Sequence, residues 1–170
     1  MFCKGCFHSV DFDPRISRVN PLLISWLQGE NKLPDESSDV IPTIAYEDGF
    51  AALDWLSRAF GFRERTRMSG PDGRLAHGEM EAGHGVIMLA TPTPHYEGPR
   101  KPREVCDRAS RWSTVPWVID GVLVYVADID AHYAQAKQEV ARIRSEIEDG
   151  PPALRYRAED PEGHRWMFMA

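Results

Sequence analysis

The sequence lacks three features that would each point to a particular class of protein. Cysteine is scarce, at three residues, and this odd number argues against a framework of disulfide bonds. No apolar run approaches the roughly 20 residues that a membrane-spanning helix needs. The chain also does not begin with the charged start and continuous apolar stretch of a signal peptide. We therefore expect a cytoplasmic protein that has no membrane partner.

An excess of positive charge is also missing. The 26 acidic and 20 basic residues give a formal net charge of −6, so no overall field attracts nucleic acid, and we predict no nucleic-acid partner. The composition is otherwise ordinary for a globular protein, because 42% of the 170 residues are hydrophobic and 27% are charged. A chain of this length forms one domain with a core, or two small halves that share one.

Two stretches of the chain share the order strand, turn, helix. Residues 41–46 and 122–126 read as apolar strands, and each is followed by an aspartate, Asp48 or Asp128, that is placed to cap a helix. Apolar residues then recur at helical spacing, and Gly61 stands where a helix C-cap is expected. The predicted helices run from about Phe50 to Phe60 and from about Asp130 to Ala141.

Three short strands follow each predicted helix, and turn residues such as Asp160-Pro161-Glu162-Gly163 join them. The two halves align at a separation of 80 residues, which brings Asp48 onto Asp128 and Gly83-His84 onto Gly163-His164. This repeat predicts an α+β fold of two βαβββ modules. The predicted strands after the helices are 62–68, 75–81 and 86–90 in the first half, and 142–147, 154–158 and 165–169 in the second.

The remaining residues lie before and between the two modules. The segment between them carries Trp112 and Trp117 and is predicted to form a short helix at Glu104–Trp112. Long loops of this kind are usually functional or disordered, and the tryptophans argue against disorder. The expected boundaries are 1–40 for a partly flexible N-terminal extension, 41–91 for module one, 92–118 for the connecting loop and 119–170 for module two.

The N-terminal extension contains Cys3-X-X-Cys6-X-His8, a spacing that suggests zinc ligands. A tetrahedral zinc site needs a fourth donor, commonly from a second Cys or His pair at short spacing. Cys106 is far away in sequence, and nothing near the N-terminus completes the set. We therefore predict a reduced, frayed terminus without a metal.

The motifs taken together resemble the vicinal oxygen chelate superfamily. They are the duplicated βαβββ unit, the Asp48 and Asp128 turns, and the closing Asp160-Pro161-Glu162-Gly163-His164 before an apolar strand. This superfamily includes glyoxalases, bleomycin-binding resistance proteins, fosfomycin-resistance enzymes and extradiol dioxygenases, and the resemblance covers about residues 41–170. It implies two modules that form a curved mixed sheet around a cleft, with each helix on the convex side.

Metal-dependent members of that superfamily carry one ligand on the first and the last strand of each module. The resemblance places these positions at Ile41, Met88, Val122 and Met167. Isoleucine and valine offer no donor, and a thioether is a poor ligand for zinc, iron or magnesium, so we predict no metal and no cofactor. The bleomycin-binding members also lack a metal and hold their ligand at a dimer interface, which implies a homodimer here.

A histidine and a glutamate are the polar candidates for the cleft. Alternation along the strand 75–81 places His77 and Glu79 on one face. If Gly83-His84 is a two-residue hairpin loop, Glu79 lies opposite Met88, and both side chains face the cleft. Such a pair can act as an acid and a base or bind a polar ligand. The alternative interpretation is a solvated strand face.

Aromatic residues are further candidates. Tyr156 and Arg157 lie on the strand next to Met167, and one of the two faces the cleft. Trp112 and Trp117 either line the cleft as flat apolar walls or anchor the connecting loop to the core or to a dimer partner. The predicted cleft lining is Ile41, His77, Glu79, Met88, Trp112, Val122, Tyr156 and Met167.

These residues favour a metal-free protein that binds a small, partly apolar or aromatic molecule as a homodimer. An enzyme is the alternative: a lyase, isomerase or transferase that uses His77 and Glu79. A third reading is a metal-dependent glyoxalase or dioxygenase with a displaced site. The first two share one cleft, so the sequence does not separate binding from catalysis and does not identify the ligand.

Overall fold

Two βαβββ modules make up most of the chain that the structure describes. The structure is a computed structural model, and it describes residues 40–114, 121–150 and 153–170. The zinc-like motif at Cys3, Cys6 and His8 and the candidate Trp117 lie outside these residues. Among the described helices, none is long and apolar enough to cross a membrane.

Module one forms a four-stranded mixed sheet, called sheet one here. Its strands lie in the order β1-β4-β3-β2, in which β1 is parallel to β4 and the other neighbours are antiparallel. The elements are β1 (Thr43–Ala45), α1 (Gly49–Phe60), β2 (Arg63–Ser69), β3 (Leu75–Ala82) and β4 (Gly85–Ala90).

Module two repeats this arrangement in sheet two. The strand order is β5-β8-β7-β6, again with one parallel pair, β5 and β8. The predicted α+β fold of two βαβββ modules is confirmed. The elements are β5 (Val122–Tyr125), α4 (Ile129–Gln138), β6 (Arg142–Glu148), β7 (Arg155–Glu159) and β8 (Arg165–Met169).

Two short helices, α2 (Arg100–Val105) and α3 (Asp107–Ser113), lie in the described part of the connecting segment. The prediction of a single helix at Glu104–Trp112 was wrong. Helix α2 ends before Cys106, whose backbone is extended, and α3 begins at the next residue, Asp107.

Both main helices begin as the sequence predicts. Asp48 accepts a hydrogen bond from the Ala51 N–H at 3.0 Å, and Asp128 accepts one from the Ala131 N–H at 2.9 Å. Each carboxylate thus satisfies one of the free N–H groups in the first helical turn. Gly61 ends α1 with a left-handed backbone, φ 65°, which glycine adopts without strain.

The two sheets share one hydrophobic core. Burial alternates along most of β3, β4 and β7, so each sheet has a core face, which contacts the helices, and an opposite face that we call the open face. Helix α1 packs on α4. The Phe60 ring at the end of α1 lies 5.7 Å from Trp166 and 4.8 Å from Phe168, centroid to centroid, on the core face of sheet two. The modules are therefore joined through their core sides.

Turns also join the modules. The Tyr46 hydroxyl, just after β1, donates a hydrogen bond to the Asp160 carboxylate at 2.7 Å. Burial, and then the neighbouring Asp160 carboxylate, raise the pKa of Tyr46 well above its usual value, so the hydroxyl remains a donor. Glu162 accepts hydrogen bonds from the backbone N–H groups of Glu47 and Asp48 at 2.7 and 3.0 Å. The entry to α1 is thereby fixed against the β7–β8 turn.

A close backbone approach fixes the β3–β4 hairpin against β5. Gly83 has φ 59°, and a Cβ atom built on it would lie 2.7 Å from the Tyr125 carbonyl oxygen. That distance leaves no room for a side chain. The hairpin of module one therefore needs glycine at this position to reach the edge of sheet two.

Candidate functional site

The open face of sheet one carries the predicted polar pair. Glu79 lies opposite Met88 in the β3–β4 register, and Ala82 pairs with Gly85, so the two-residue loop Gly83-His84 is present as predicted. His77 Nε2 is 3.0 Å from Glu79 Oε1. Both side chains are partly buried. The sequence-based placement of Glu79 opposite Met88 therefore agrees with the strand register.

The open face of sheet two places Met167 in the position equivalent to Met88. Met167 lies beside Leu123 on one side and Arg157 on the other. Leu123 is 42% exposed and Tyr125, two residues further along the same face, is 59% exposed. This face therefore presents apolar side chains to the outside of the shared core, flanked by an arginine.

Two predicted cleft residues lie on the core face instead. Val122 pairs with Trp166 rather than Met167 and packs against the hydrophobic core. Tyr156 pairs with Phe168 and is fully buried, so of Tyr156 and Arg157 it is Arg157 that lies on the open face. The prediction of these two residues in the cleft was wrong, because a shift of one residue along a strand moves a side chain to the opposite face.

The hydroxyl of the buried Tyr156 is hydrogen-bonded to His132, a residue that no pattern in the sequence indicated. His132 Nε2 is 3.1 Å from the Phe60 carbonyl oxygen, and Nδ1 is 2.6 Å from the Tyr156 hydroxyl. The carbonyl can only accept, so Nε2 carries the proton and Nδ1 accepts from the tyrosine. Burial lowers the pKa of His132, which keeps the ring neutral in this role.

The two remaining predicted residues are placed only in part. Ile41 precedes β1 and is partly buried, and Thr43 is the residue that lies beside Met88. Trp112 belongs to α3, but its side chain is outside the described part of the structure. On the first strand of each module, the residues beside the two methionines are thus Thr43 and Leu123.

These residues do not fit a metal. The four positions offer two thioethers, a threonine hydroxyl and a leucine, whereas zinc and similar ions take imidazole, carboxylate or thiolate ligands. His77 and Glu79 supply two such donors, fewer than the three that protein sites for catalytic zinc provide. Among the described residues, no group of three or more His, Cys, Asp or Glu side chains could hold a metal ion.

The arrangement of two mixed βαβββ modules is that of a known superfamily. The model of the Glyoxalase/Bleomycin resistance protein/Dioxygenase superfamily matches residues 41–168, and the chain belongs to this superfamily. The match begins just before β1 and ends in β8, so it includes both modules and both open faces.

Individual proteins are also similar to this chain in sequence or in structure. The uncharacterized protein Rv0887c of Mycobacterium tuberculosis is 27% identical over 160 residues, which are 91% of this chain and 84% of that protein. The crystal structure of TioX from Micromonospora sp. ML1 is similar with a TM-score of 0.55 and 28% identity, covering 78% of this chain and 97% of TioX. TnmS3, an antibiotic binding protein from Streptomyces sp. CB03234, is similar with a TM-score of 0.50 and 15% identity, covering 78% of this chain and 95% of TnmS3.

Proposed function

We propose that this protein binds a small, partly apolar or aromatic molecule without a metal, against the open faces of its two sheets, as a cytoplasmic homodimer. The observation that carries the proposal is the pair of methionines. Met88 and Met167 occupy equivalent positions, one on each open face, where metal-dependent relatives would need a ligand. Thioethers suit apolar and aromatic ligands, since sulfur contacts aromatic rings favourably.

The mixture of side chains supports a small-molecule site. Pockets for small molecules are mainly apolar, with a few polar groups that orient the ligand. Met88 and Met167 with Leu123 supply apolar surface, and His77 and Glu79 supply polar groups. The name of TnmS3 as an antibiotic binding protein supports the same class of ligand.

The way in which the modules meet supports a dimer. The contacts between them lie on the core side, at Phe60 and Trp166 and at Tyr46 and Asp160. The open faces point away from this shared core and leave apolar side chains exposed, among them Leu123 and Tyr125. In the proposed dimer, an open face of one copy is covered by an open face of the second, which encloses the ligand and removes apolar surface from water.

Catalysis is the second candidate function, and one contact favours it. A histidine held 3.0 Å from a glutamate can exchange a proton with a bound molecule, while the carboxylate orients the ring. In this case the same site would convert its ligand by acid–base chemistry through His77, without a metal. The two proposals differ only in the fate of the ligand.

A binding experiment with matched variants tests the proposal. Thermal stability and calorimetry of the full chain are measured with bleomycin and with an anthraquinone antibiotic, because a ligand that binds only the native state raises its stability. Met88→Arg should abolish binding, and Arg63→Gln, a change at an exposed arginine paired with Glu81, should leave it unchanged. Equal binding by Met88→Arg and the parent chain would refute the site.

Further measurements test the metal and the chemistry. Elemental analysis should find no stoichiometric divalent metal, and a chelator should leave the melting temperature unchanged. Mass spectrometry of the ligand after incubation should show it intact if the protein only binds. A product that disappears with His77→Ala, while binding persists, would establish the enzyme instead. Sedimentation showing only a 19.3 kDa species at micromolar concentration would refute the dimer.

A further inference from the structure

A buried glutamate at one end of sheet two is surrounded by arginines. Glu159 is only 2% exposed, although it lies on the open face. Four guanidinium groups approach its carboxylate. The distances from the nearest nitrogen are 3.1 Å for Arg165, 3.4 Å for Arg103, 3.6 Å for Arg144 and 3.7 Å for Arg142. Four positive charges thus surround one negative charge.

Strand register and a helix bring these groups together. Arg142, Glu159 and Arg165 lie side by side across β6, β7 and β8. Arg103 comes from α2, which lies over the end of this face, and its guanidinium donates a hydrogen bond to the Gly163 carbonyl at 2.8 Å. The Arg100 N–H donates to the Glu162 carbonyl at 2.8 Å, which fixes the start of α2 on the β7–β8 turn.

A cavity lies between α2, α3 and the sheet, next to Glu159. Its volume is about 260 Å³. Ligand pockets for drug-sized molecules begin at about 300 Å³, so this cavity suits a smaller molecule or one group of a larger one. Arg100 Nε is buried and has no hydrogen-bond partner within the described residues. The lining consists of Arg100, Arg103, Glu104, Ser110, Arg142 and Glu159.

The charge and shape of the lining indicate the ligand. Guanidinium groups bind carboxylate, sulfate and phosphate oxygens through paired, charge-assisted hydrogen bonds. Three of the six lining residues are arginines and two are glutamates, in a chain whose net charge is −6. We propose that this cavity is a binding site for an oxyanion, either a small free anion or the anionic group of a larger molecule. The site uses none of the residues assigned to the proposed apolar site, so it does not depend on that proposal.

The test is a titration of the full chain with inorganic phosphate, sulfate and acetate, against sodium chloride at matched ionic strength. Calorimetry and thermal shift should show saturable binding of at least one oxyanion and none with chloride alone. A preference for phosphate and sulfate identifies a tetrahedral group, and a preference for acetate identifies a carboxylate. No saturable binding by any of the three would overturn the proposal.

Variants locate the binding. Arg142→Gln and Arg103→Gln should each weaken it about tenfold, the loss expected for one hydrogen bond between charged groups. Arg142 is the safer change for folding, because 59% of its side chain is exposed. The matched control, Arg63→Gln on sheet one, should leave binding unchanged. Equal weakening by the control, or loss of anion binding in Met88→Arg, would show that the anion does not bind in this cavity.

Discussion

The two modules share their topology but differ where each one meets the other. In module one, β3 and β4 are joined by the two-residue loop Gly83-His84. In module two, the equivalent turn is five residues long and wraps around a buried carboxylate, Asp160. Its carboxylate accepts hydrogen bonds from three backbone N–H groups of its own turn, as well as from Tyr46 and Trp166. The two modules therefore share their strands and helix caps, whereas their equivalent turns differ in length and in the contacts that they make.

The open faces of the modules differ in charge as well. Sheet one carries the His77–Glu79 pair beside Met88. Sheet two carries arginines around Glu148 and Glu159, with Arg157 directly beside Met167. The same scaffold thus offers one face with a histidine–glutamate pair and one face that is rich in arginine. This difference lets a single chain contribute two chemically distinct surfaces.

The largest expected effect distinguishes the two faces of sheet one. Leu89 is fully buried on the core face, and Leu89→Arg should reduce the free energy of unfolding by about 4 kcal/mol or more, since it buries an unpaired charge. Met88→Arg should reduce it by less than about 1 kcal/mol, because the open face lets the guanidinium reach water. Urea denaturation of both variants gives the comparison. Equal losses would mean that Met88 belongs to the core.

Removal of the buried carboxylate should have the next largest effect. Asp160→Ala leaves the Tyr46 hydroxyl and several backbone N–H groups without their acceptor. We expect a loss of about 3 kcal/mol in the free energy of unfolding, measured by urea denaturation. His84→Ala, in the exposed turn of module one, should change it by less than about 0.5 kcal/mol. Similar values for the two variants would contradict the distinction between the turns.

A pH-dependent effect distinguishes the two helices. His132 of α4 is replaced at the equivalent position of α1 by Ala52. Because the pKa of His132 is lower in the folded state, its contribution to stability is complete above about pH 6.5 and is lost as pH falls through the folded pKa. The slope cannot exceed about 1.4 kcal/mol per pH unit for one proton.

Denaturation midpoints between pH 7.5 and 5 check this effect. His132→Gln should be less stable at pH 7.5 and should show a shallower loss of stability on acidification than the parent chain. His84→Gln, at an exposed position, serves as the control and should retain the parent's slope. A slope that is unchanged in His132→Gln would show that this histidine does not titrate as proposed.

The smallest effect concerns the ends of the two helices. Helix α1 ends at Gly61, whereas the chain after α4 passes through Val140 with φ 61°, a left-handed backbone that costs a β-branched residue about 1–2 kcal/mol. Val140 is 86% exposed, so little packing is lost on substitution. Val140→Gly should therefore raise the free energy of unfolding by about 1 kcal/mol, and Gly61→Val should lower it. A destabilised Val140→Gly variant in thermal melts would show that the comparison between the helix ends is wrong.

The fold was largely predictable because its signals are local. Helix caps, turn residues and alternation repeat 80 residues apart, and each of them acts over a few positions. The predicted loop Gly83-His84 also fixed the register of β3 and β4, and so placed Glu79 beside Met88 correctly.

The site was less predictable because it depends on long-range packing. The register of the parallel strands β5 and β8 has no connecting turn to determine it, and Trp166 and Phe168 determine which face is buried. Val122 was assigned to the wrong face for this reason, and Tyr156 because the turn between β7 and β8 did not determine their register from the sequence. The arginine cluster around Glu159 was not predicted either, because Arg103 contacts Glu159 only when α2 packs over sheet two. No local pattern in the sequence indicates that contact.

The close approach of Gly83 to Tyr125 has a consequence for solubility. β5 is one of the two edge strands of sheet two, and edge strands expose backbone groups that can pair with another chain and begin aggregation. The Gly83 hairpin occupies this edge at Tyr125, where no side chain would fit between the two backbones. One glycine of module one therefore shields the edge of module two from strand addition by a neighbouring chain. We expect any larger residue at this position to displace the hairpin and to expose that edge to strand addition.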